Sequence, residues 1–354
     1  MNVPFVKQSS GPRPNLQNTP SSSDTVLTDV AGHKRFIACR GNNYQLIALE
    51  DQPTVLEKLL AQCHSMRTLR LHGYNVPEAG DSKKGAGPAQ LTLRMDKDAL
   101  PLPSKDHGSH STRKAVTIDC EMVVVEGGAS ELVSLSVVDF LTGEQVINSL
   151  VKPRKPVLYW RTNIHGISPT MLEMARAKGQ TLDGWQSARD ELFKHVDEDT
   201  VLVGHALHRD LAVLHVQPAR VVDSVILVSN SIIGWGQNKA LQFTLGLKNV
   251  CTELLGLNIR QYGPVGGTNV HDAFEDALAS REVVLCCLEQ PSTYNTWIGK
   301  RRKALLAGKE RIGKKKRGKS KIYDEDSEYE VLGLEDVINF ETWLESRHPH
   351  PDSD

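Results

Sequence analysis

Among its 354 residues the sequence has no run approaching about 18 consecutive apolar residues, the length a membrane-spanning helix needs, so a membrane span is not expected. The first residues, MNVPFVKQSSGPRPNLQ, lack the apolar centre of a secretory signal, which argues against export. Cysteine is sparse: Cys39, Cys63, Cys120, Cys251, Cys286 and Cys287 include no C-x-x-C pair, which removes zinc knuckles and dithiol redox motifs from consideration and suits reduced thiols in a cytosolic or nuclear protein. No internal repeat is visible, so solenoids and propellers are set aside. A net charge near zero is also a lack, but it hides an asymmetry. Lys300–Lys321 holds twelve Lys or Arg against Glu310 alone, and the last 33 residues hold eleven acids against Arg347. A basic block followed by an acidic one suits contact with nucleic acid or nuclear import, with a polyanionic tail beside it.

What is present is organised around AVTIDCEMVV, residues Ala115–Val124, where an apolar run ends in two carboxylates separated by one residue. Side chains two apart on a strand share a face, so Asp119 and Glu121 are expected side by side, with Cys120 on the opposite face. Two like charges so close resist joint ionisation unless a cation neutralises them, and hard oxygen donors suit Mg²⁺ or Mn²⁺ better than Zn²⁺. An Asp-x-Glu alone is also compatible with a strand end whose solvated acids mark a turn.

The segments around this strand divide the chain. Residues 1–24 are polar and Pro-rich, with little to bury, and are expected to be disordered. Within 25–75, RFIACRGNNYQLIAL reads as strands around a GNN turn, and Thr54–Leu71 carries apolar residues at helical spacing; a small region of uncertain fold results. Residues 76–113 have the composition of a linker. Residues 114–291 carry the dense pattern. Three strands come first, the second and third joined at Leu141-Thr142-Gly143. One or two helices follow over Ser168–His195, broken near Gly179, and then a strand at Thr200–Gly204 and a helix over His208–His215. A further strand is predicted at Val221–Val228, and helices at Leu245–Leu255 and Asp272–Leu288. Meander strands followed by αβα alternation predict an α/β domain, a mixed β-sheet flanked by helices. Residues 292–321 form the basic segment and 322–354 the acidic tail, whose Val331, Leu334, Ile338 and Trp343 are compatible with an amphipathic helix that binds a protein partner or screens the basic block.

Three further stretches offer partners for Asp119 and Glu121. Asp210 lies in TVLVGHALHRDL, just after a predicted strand; Asp276 lies in NVHDAFEDALA on a predicted helix, with His271 on the loop that enters it. Each has an ordinary structural account alone: a charge at a helix N-terminus, a solvated face, a hydrogen-bonded surface histidine. Four acids from three segments and one histidine together meet the needs of a two-metal phosphodiester site, in which neutral imidazole takes a proton from water.

These motifs resemble those of the eukaryotic Rex-type RNA exonucleases, within the DEDDh group of 3′-to-5′ exonucleases with a ribonuclease H-like fold. IDCEMV supplies Asp119 and Glu121, GHALHRDL supplies Asp210, and HDAFEDALA supplies His271 and Asp276; WRTNIHGISP and LKNVCTELLGLNIRQ are similar to two further segments of that family. The resemblance implies that Asp119, Glu121, Asp210 and Asp276 bind two Mg²⁺ or Mn²⁺ ions, with Asp119 bridging, and that His271 is the general base. It implies that Met122, Val123, His165, Gly166, Ile167, His205 and Ala206 hold the terminal nucleotide. The chain departs from the family at Val124, Val133 and Ser134, none of them a ligand. The expected activity is release of nucleoside 5′-monophosphates from single-stranded RNA 3′ ends, in ribosomal or other stable RNA processing. DNA as substrate, or a catalytically weak RNA-binding scaffold, are the alternatives. The expected location is the nucleus, with the nucleolus and a cytoplasmic pool left open.

Overall fold

The structure, a computed structural model, describes residues 26–28, 35–76, 96–104, 112–233, 245–261 and 269–314. The expectations for residues 1–24 and for the acidic tail fall outside these. In chain order the N-terminal part holds β1 (Val26–Thr28), β2 (Arg35–Cys39), β3 (Asn42–Gln45), α1 (Gln52–Ala61), α2 (Met66–Leu71) and β4 (Leu100–Pro101). The meander is β5 (Ala115–Val125), β6 (Ser130–Asp139) and β7 (Gln145–Lys152), followed by β8 (Val157–Tyr159), α3 (Thr162–His165), α4 (Pro169–Ala177), β9 (Thr181–Asp183) and α5 (Gly184–Phe193). Then come β10 (Val201–Gly204), α6 (His208–Val213), β11 (Val216–Gln217), β12 (Arg220–Asp223), α7 (Ser224–Ile233) and α8 (Leu247–Val250), the last running into a π-helical turn at Cys251–Leu255. The long helices α9 (Ala273–Glu289) and α10 (Pro291–Lys314) end the described chain.

The central sheet has the order β12-β10-β5-β6-β7-β9, with β8 pairing the far end of β5. Along that order only β6 runs antiparallel to its neighbours. This is the mixed sheet of a ribonuclease H-like fold. Alternation along β5 sorts its two faces. Val116, Ile118 and Cys120 enter the cluster that contains Ala188 and Leu192 of α5, whereas Ala115 packs with Val284 and Leu285 of α9. Asp119 and Glu121 belong to the Ala115 row, and Cys120 is on the other face, as period two requires. A bulge follows Glu121: Glu121 pairs with Ser134 and Met122 with Leu132, which leaves Val133 as the extra residue. Bulges bend a strand and increase its twist, and this one lies beside the acidic pair.

The N-terminal part is built into this core. Tyr44 packs with Phe274 and Leu278, Leu59 with Val284 and Leu285, and Leu69, Tyr74 and Val76 with the α5 side of β5. The β2–β3 hairpin turns at Arg40–Gly41, one residue earlier than a GNN turn, because φ is positive at both residues (47° and 80°), the pair of angles a two-residue primed turn needs. The hairpin rests against the β6–β7 turn: a Cβ on Gly143, whose φ is +74°, would lie 2.2 Å from Ile37 Cδ1. Within the stretch that reads as a linker, Leu100–Pro101 pairs in parallel with β11, and Leu102 is buried with the α5 cluster.

Three elements depart from the expected boundaries. The apolar run Val221–Val228 is strand only to Asp223; that carboxylate accepts the amide of Val225 and starts α7. Thr54–Leu71 is two helices, the second capped by the Ser65 hydroxyl, which accepts from the Thr68 amide. Between α4 and α5 the chain adds β9 at the edge of the sheet, pairing with β7.

Candidate active site

The site forms where the strands end. β10 pairs with β5 as far as Thr117 and stops at Gly204, while β5 continues, so the Cys120 amide beyond it has no strand partner on that side. The Asp210 carboxylate, from the first turn of α6, fills the gap and accepts that amide at 2.9 Å. Glycine is required at the strand end: a Cβ at Gly204 would stand 3.0 Å from the Ile118 carbonyl oxygen and 2.9 Å from Leu207 Cδ1.

Asp276 arrives from the opposite side on α9. Asp272 caps this helix by accepting the Glu275 amide at 3.0 Å, and also receives Arg40 of the N-terminal hairpin. His271, just before the cap, donates its backbone N–H to the Ile164 carbonyl at 2.7 Å, which ties the third motif to the α3 loop. Its Nδ1 stands 3.6 Å from Asp276 Oδ2. Glu121, His271 and Asp276 each offer one ligand atom within 4.8 Å of the others.

The electrostatics follow from this crowding. Burial, then the charges of Asp276, Asp210 and Glu121, push the Asp119 carboxyl well above the ordinary range; burial and Asp276 do the same to Glu121. Burial raises Asp210 to about 8, although its own amide and the Cys120 amide favour its anion. Burial and the neighbouring Arg260 lower His271 to about 4, so the imidazole is neutral at pH 7. Glu121 Oε1 is buried and receives no hydrogen bond. An unpartnered buried carboxylate oxygen among like charges is a donor set suited to a divalent cation, so the residues present fit one.

Two residues of this region escaped the sequence reading. Arg260, whose φ is +62°, directs Nε at both oxygens of Asp276 (3.1 Å each) and Nη2 at Oδ2 (2.9 Å). Asp223, at the end of β12, is 1% exposed and accepts the amides of Ala206, Leu207 and Val225 and the Tyr74 hydroxyl. Arg260 lies within LKNVCTELLGLNIRQ, but that resemblance assigns it no role, and no motif points to Asp223, whose partner Tyr74 is distant in sequence.

The candidate nucleotide-binding positions are distributed around the acids. Val123 is fully buried with Val133 and Ile167, which leaves only its main chain to line the site, and Met122 is half-buried against the α5 side. His165 is buried; its Nδ1 accepts the Ile167 amide at 3.1 Å, and burial lowers it to about 4. Gly166 closes α3 in the left-handed region with φ +73°. His205 Nδ1 is 2.8 Å from the Ser224 hydroxyl, and Ala206, with φ +58°, is fixed by Asp223. His208, on the following helix, sits edge-on to Tyr74.

Residues 116–284 match the Exonuclease family RNase_T. They form an exonuclease domain. Small RNA degrading nuclease 3 of Arabidopsis thaliana is 31% identical over 214 residues, covering 60% of this chain and 25% of that protein. RNA exonuclease 4 of Aspergillus fumigatus is 35% identical over 173 residues, 47% of this chain and 48% of that protein. The chain thus spans less than half the length of these curated relatives. Among solved structures, the Saccharomyces cerevisiae Pan2 pseudoubiquitin hydrolase-RNA exonuclease module in complex with AAGGAA RNA matches at 16% identity, covering 62% of this chain and 36% of that one, with a TM-score of 0.43. The exonuclease domain begins within β5 and ends within α9, so its limits enclose all four clustered carboxylates and His271.

Proposed function

We propose that this chain is a divalent-metal-dependent 3′-to-5′ exoribonuclease that releases nucleoside 5′-monophosphates from single-stranded RNA ends. The observation that carries the proposal is the convergence of Asp119, Glu121, Asp210 and Asp276 on one buried spot beside a neutral His271. The family supports hydrolysis, and the relatives named as RNA exonucleases and small RNA degrading nucleases support RNA over DNA. Maturation of ribosomal or other stable RNA is the process we assign, and the basic block leads us to place the protein in the nucleus. Part of that block is already engaged: Arg301 pairs with Glu253, and Arg302 donates to the Ser231 and Ile232 carbonyls at the end of α7.

The four carboxylates would hold two Mg²⁺ or Mn²⁺ ions. When bound, such ions neutralise the developing charge on the attacking and leaving oxygens of the phosphodiester. His271 takes the proton of the attacking water, which its lowered pKa permits at neutral pH, and the hydrogen bond from its amide to Ile164 fixes its backbone for that task. The main chain of Met122 and Val123, with the loops of His165-Gly166-Ile167 and His205-Ala206, would orient the terminal sugar and base.

Incubation with 5′-labelled single-stranded RNA and DNA, with Mg²⁺, Mn²⁺ or chelator, tests this reading. A metal-dependent ladder shortening from the RNA 3′ end, lost in Asp119→Asn and reduced about 10²–10⁴-fold in His271→Ala, is expected. Full activity in both variants would place the chemistry elsewhere.

A further inference from the structure

The clustered carboxylates repel one another, yet the fold encloses them, so protons or a neighbouring cation offset their charge before any metal arrives. The guanidinium that pairs with the group is that of Arg260. It is 13% exposed, against 1% for Asp276, and grips both oxygens of that carboxylate through Nε and Nη2.

The backbone shows that this placement is built. Arg260 adopts a left-handed conformation, uncommon for a residue with a side chain, and is pinned on both sides: its N–H donates to Glu275 Oε2 at 2.8 Å and its carbonyl accepts the Asn269 amide at 2.8 Å. Glu275 lies on α9 one residue before Asp276, so one helical turn fixes both the arginine backbone and the carboxylate that the guanidinium grips. A solvated surface arginine has no need of such a mount.

We propose that Arg260 is an internal counter-ion of the metal-free site. It occupies Asp276 until metal binds, then releases that carboxylate, and thereby lowers metal affinity while stabilising the empty site. This inference rests on the reading of the four carboxylates as metal ligands. Two consequences run in opposite directions. Removing the guanidinium frees both Asp276 oxygens and deletes a positive charge beside the incoming cation, so metal binds more tightly. The same removal leaves Asp276 buried without its partner, so the metal-free protein is less stable.

The test is Mn²⁺ titration by calorimetry, with thermal unfolding in chelator and in saturating Mn²⁺, on full-length wild type, Arg260→Gln, Arg260→Lys and Asp119→Asn. Expected are at least tenfold tighter Mn²⁺ binding by R260Q, a lower unfolding temperature in chelator, and a larger rise on adding Mn²⁺ than wild type shows. R260K keeps the charge without the fork and should fall between. Weaker or unchanged Mn²⁺ binding by R260Q, with binding by wild type intact, overturns the inference and makes Arg260 a support that metal retains. Absence of Mn²⁺ binding by wild type overturns the metal-ligand reading itself, and this proposal with it. An R260Q protein that does not fold in chelator but folds in Mn²⁺ is the strongest form of the expected result; failure in both, with R260K behaving as wild type in both, assigns Arg260 a purely structural role.

Discussion

Replacing Asp223 by asparagine should destabilise the protein far more than its distance from the reacting groups suggests. The carboxylate is 1% exposed and works with both oxygens: Oδ1 accepts Ala206 N–H at 3.0 Å and Val225 N–H at 2.8 Å, and Oδ2 accepts Leu207 N–H at 3.1 Å and the Tyr74 hydroxyl. Asparagine is nearly isosteric but has a single acceptor oxygen. With that oxygen on the Ala206 and Val225 amides, the new NH₂ faces Leu207 N–H, donor against donor, and the Tyr74 hydroxyl must rotate to accept. Two charge-assisted bonds become neutral at about 1 kcal/mol each, and one buried N–H loses its partner at about 1–3 kcal/mol, for a total of about 4 kcal/mol. For a domain of this size that is roughly 8–16 °C in Tm. Urea and thermal denaturation of Asp223→Asn measure it, with Asp223→Glu as a variant that keeps the charge but overfills the space. Because the weakened Ala206 bond and the lost Leu207 bond hold the turn carrying His205 and Ala206, the KM for RNA should rise at temperatures where the variant is still folded. A Tm within 2 °C of wild type would show that Asp223 does not organise this turn.

Other consequences are equally direct. An acid whose pKa is raised by folding binds its proton more tightly in the native state, so stability falls as pH rises from the unfolded value to the folded one. For Asp210 the window runs from 3.8 to about 8, and Asp119 and Glu121 act in the same direction. Metal-free protein should therefore lose stability across this range, and saturating Mn²⁺ should flatten the profile; a metal-free profile that rises with pH would contradict it. Deleting residues 1–76 removes Tyr44, Val55, Leu59, Leu69, Tyr74 and Val76 from the core, on the order of 10 kcal/mol of apolar burial at about 2 kcal/mol each. That rivals a domain's whole net stability, so the truncated chain should show no cooperative unfolding transition by calorimetry. Arg281, with no exposure, donates to the Phe140 and Gln45 carbonyls and to Glu282. Arg281→Met should cost about 3–5 kcal/mol in denaturant titrations by leaving the largely enclosed Glu282 with the Gln45 amide but no cationic partner; a loss below 1 kcal/mol would show that water replaces the guanidinium.

The legible parts of this molecule are those where local pattern and tertiary use coincide. Asp119 and Glu121 follow from period two in β5, and the position of His271 on the entering loop follows from its five-residue step to Asp276 on α9. What stays illegible depends on closure between distant segments. Asp223 ends an apolar run that reads as one strand, because nothing local shows that its carboxylate will meet Tyr74 and the turn after β10. Nor does composition show that residues 25–75 belong to the nuclease core: they read as a small piece of uncertain fold, and the apolar side chains of its described part gain partners in distant elements such as α9 and β5. Arg260 sits in an irregular loop, where periodicity carries no information.

The placement of α9 connects these points. The helix brings Asp276 into a group of like charges, a position the local electrostatics oppose. Contacts from the N-terminal hairpin counter that repulsion along its length: Arg40 on Asp272, Asn42 near Glu275, the Gln45 amide on Glu282, and Tyr44 packed with Phe274 and Leu278. A segment remote from the motifs therefore holds the helix that completes the site, while Arg260 balances its charge from within. The stability of the exonuclease domain and the geometry of its acids are in this way set by the same contacts, and variants of Arg40 or Tyr44 should alter metal affinity together with the hydrogen-exchange protection of α9.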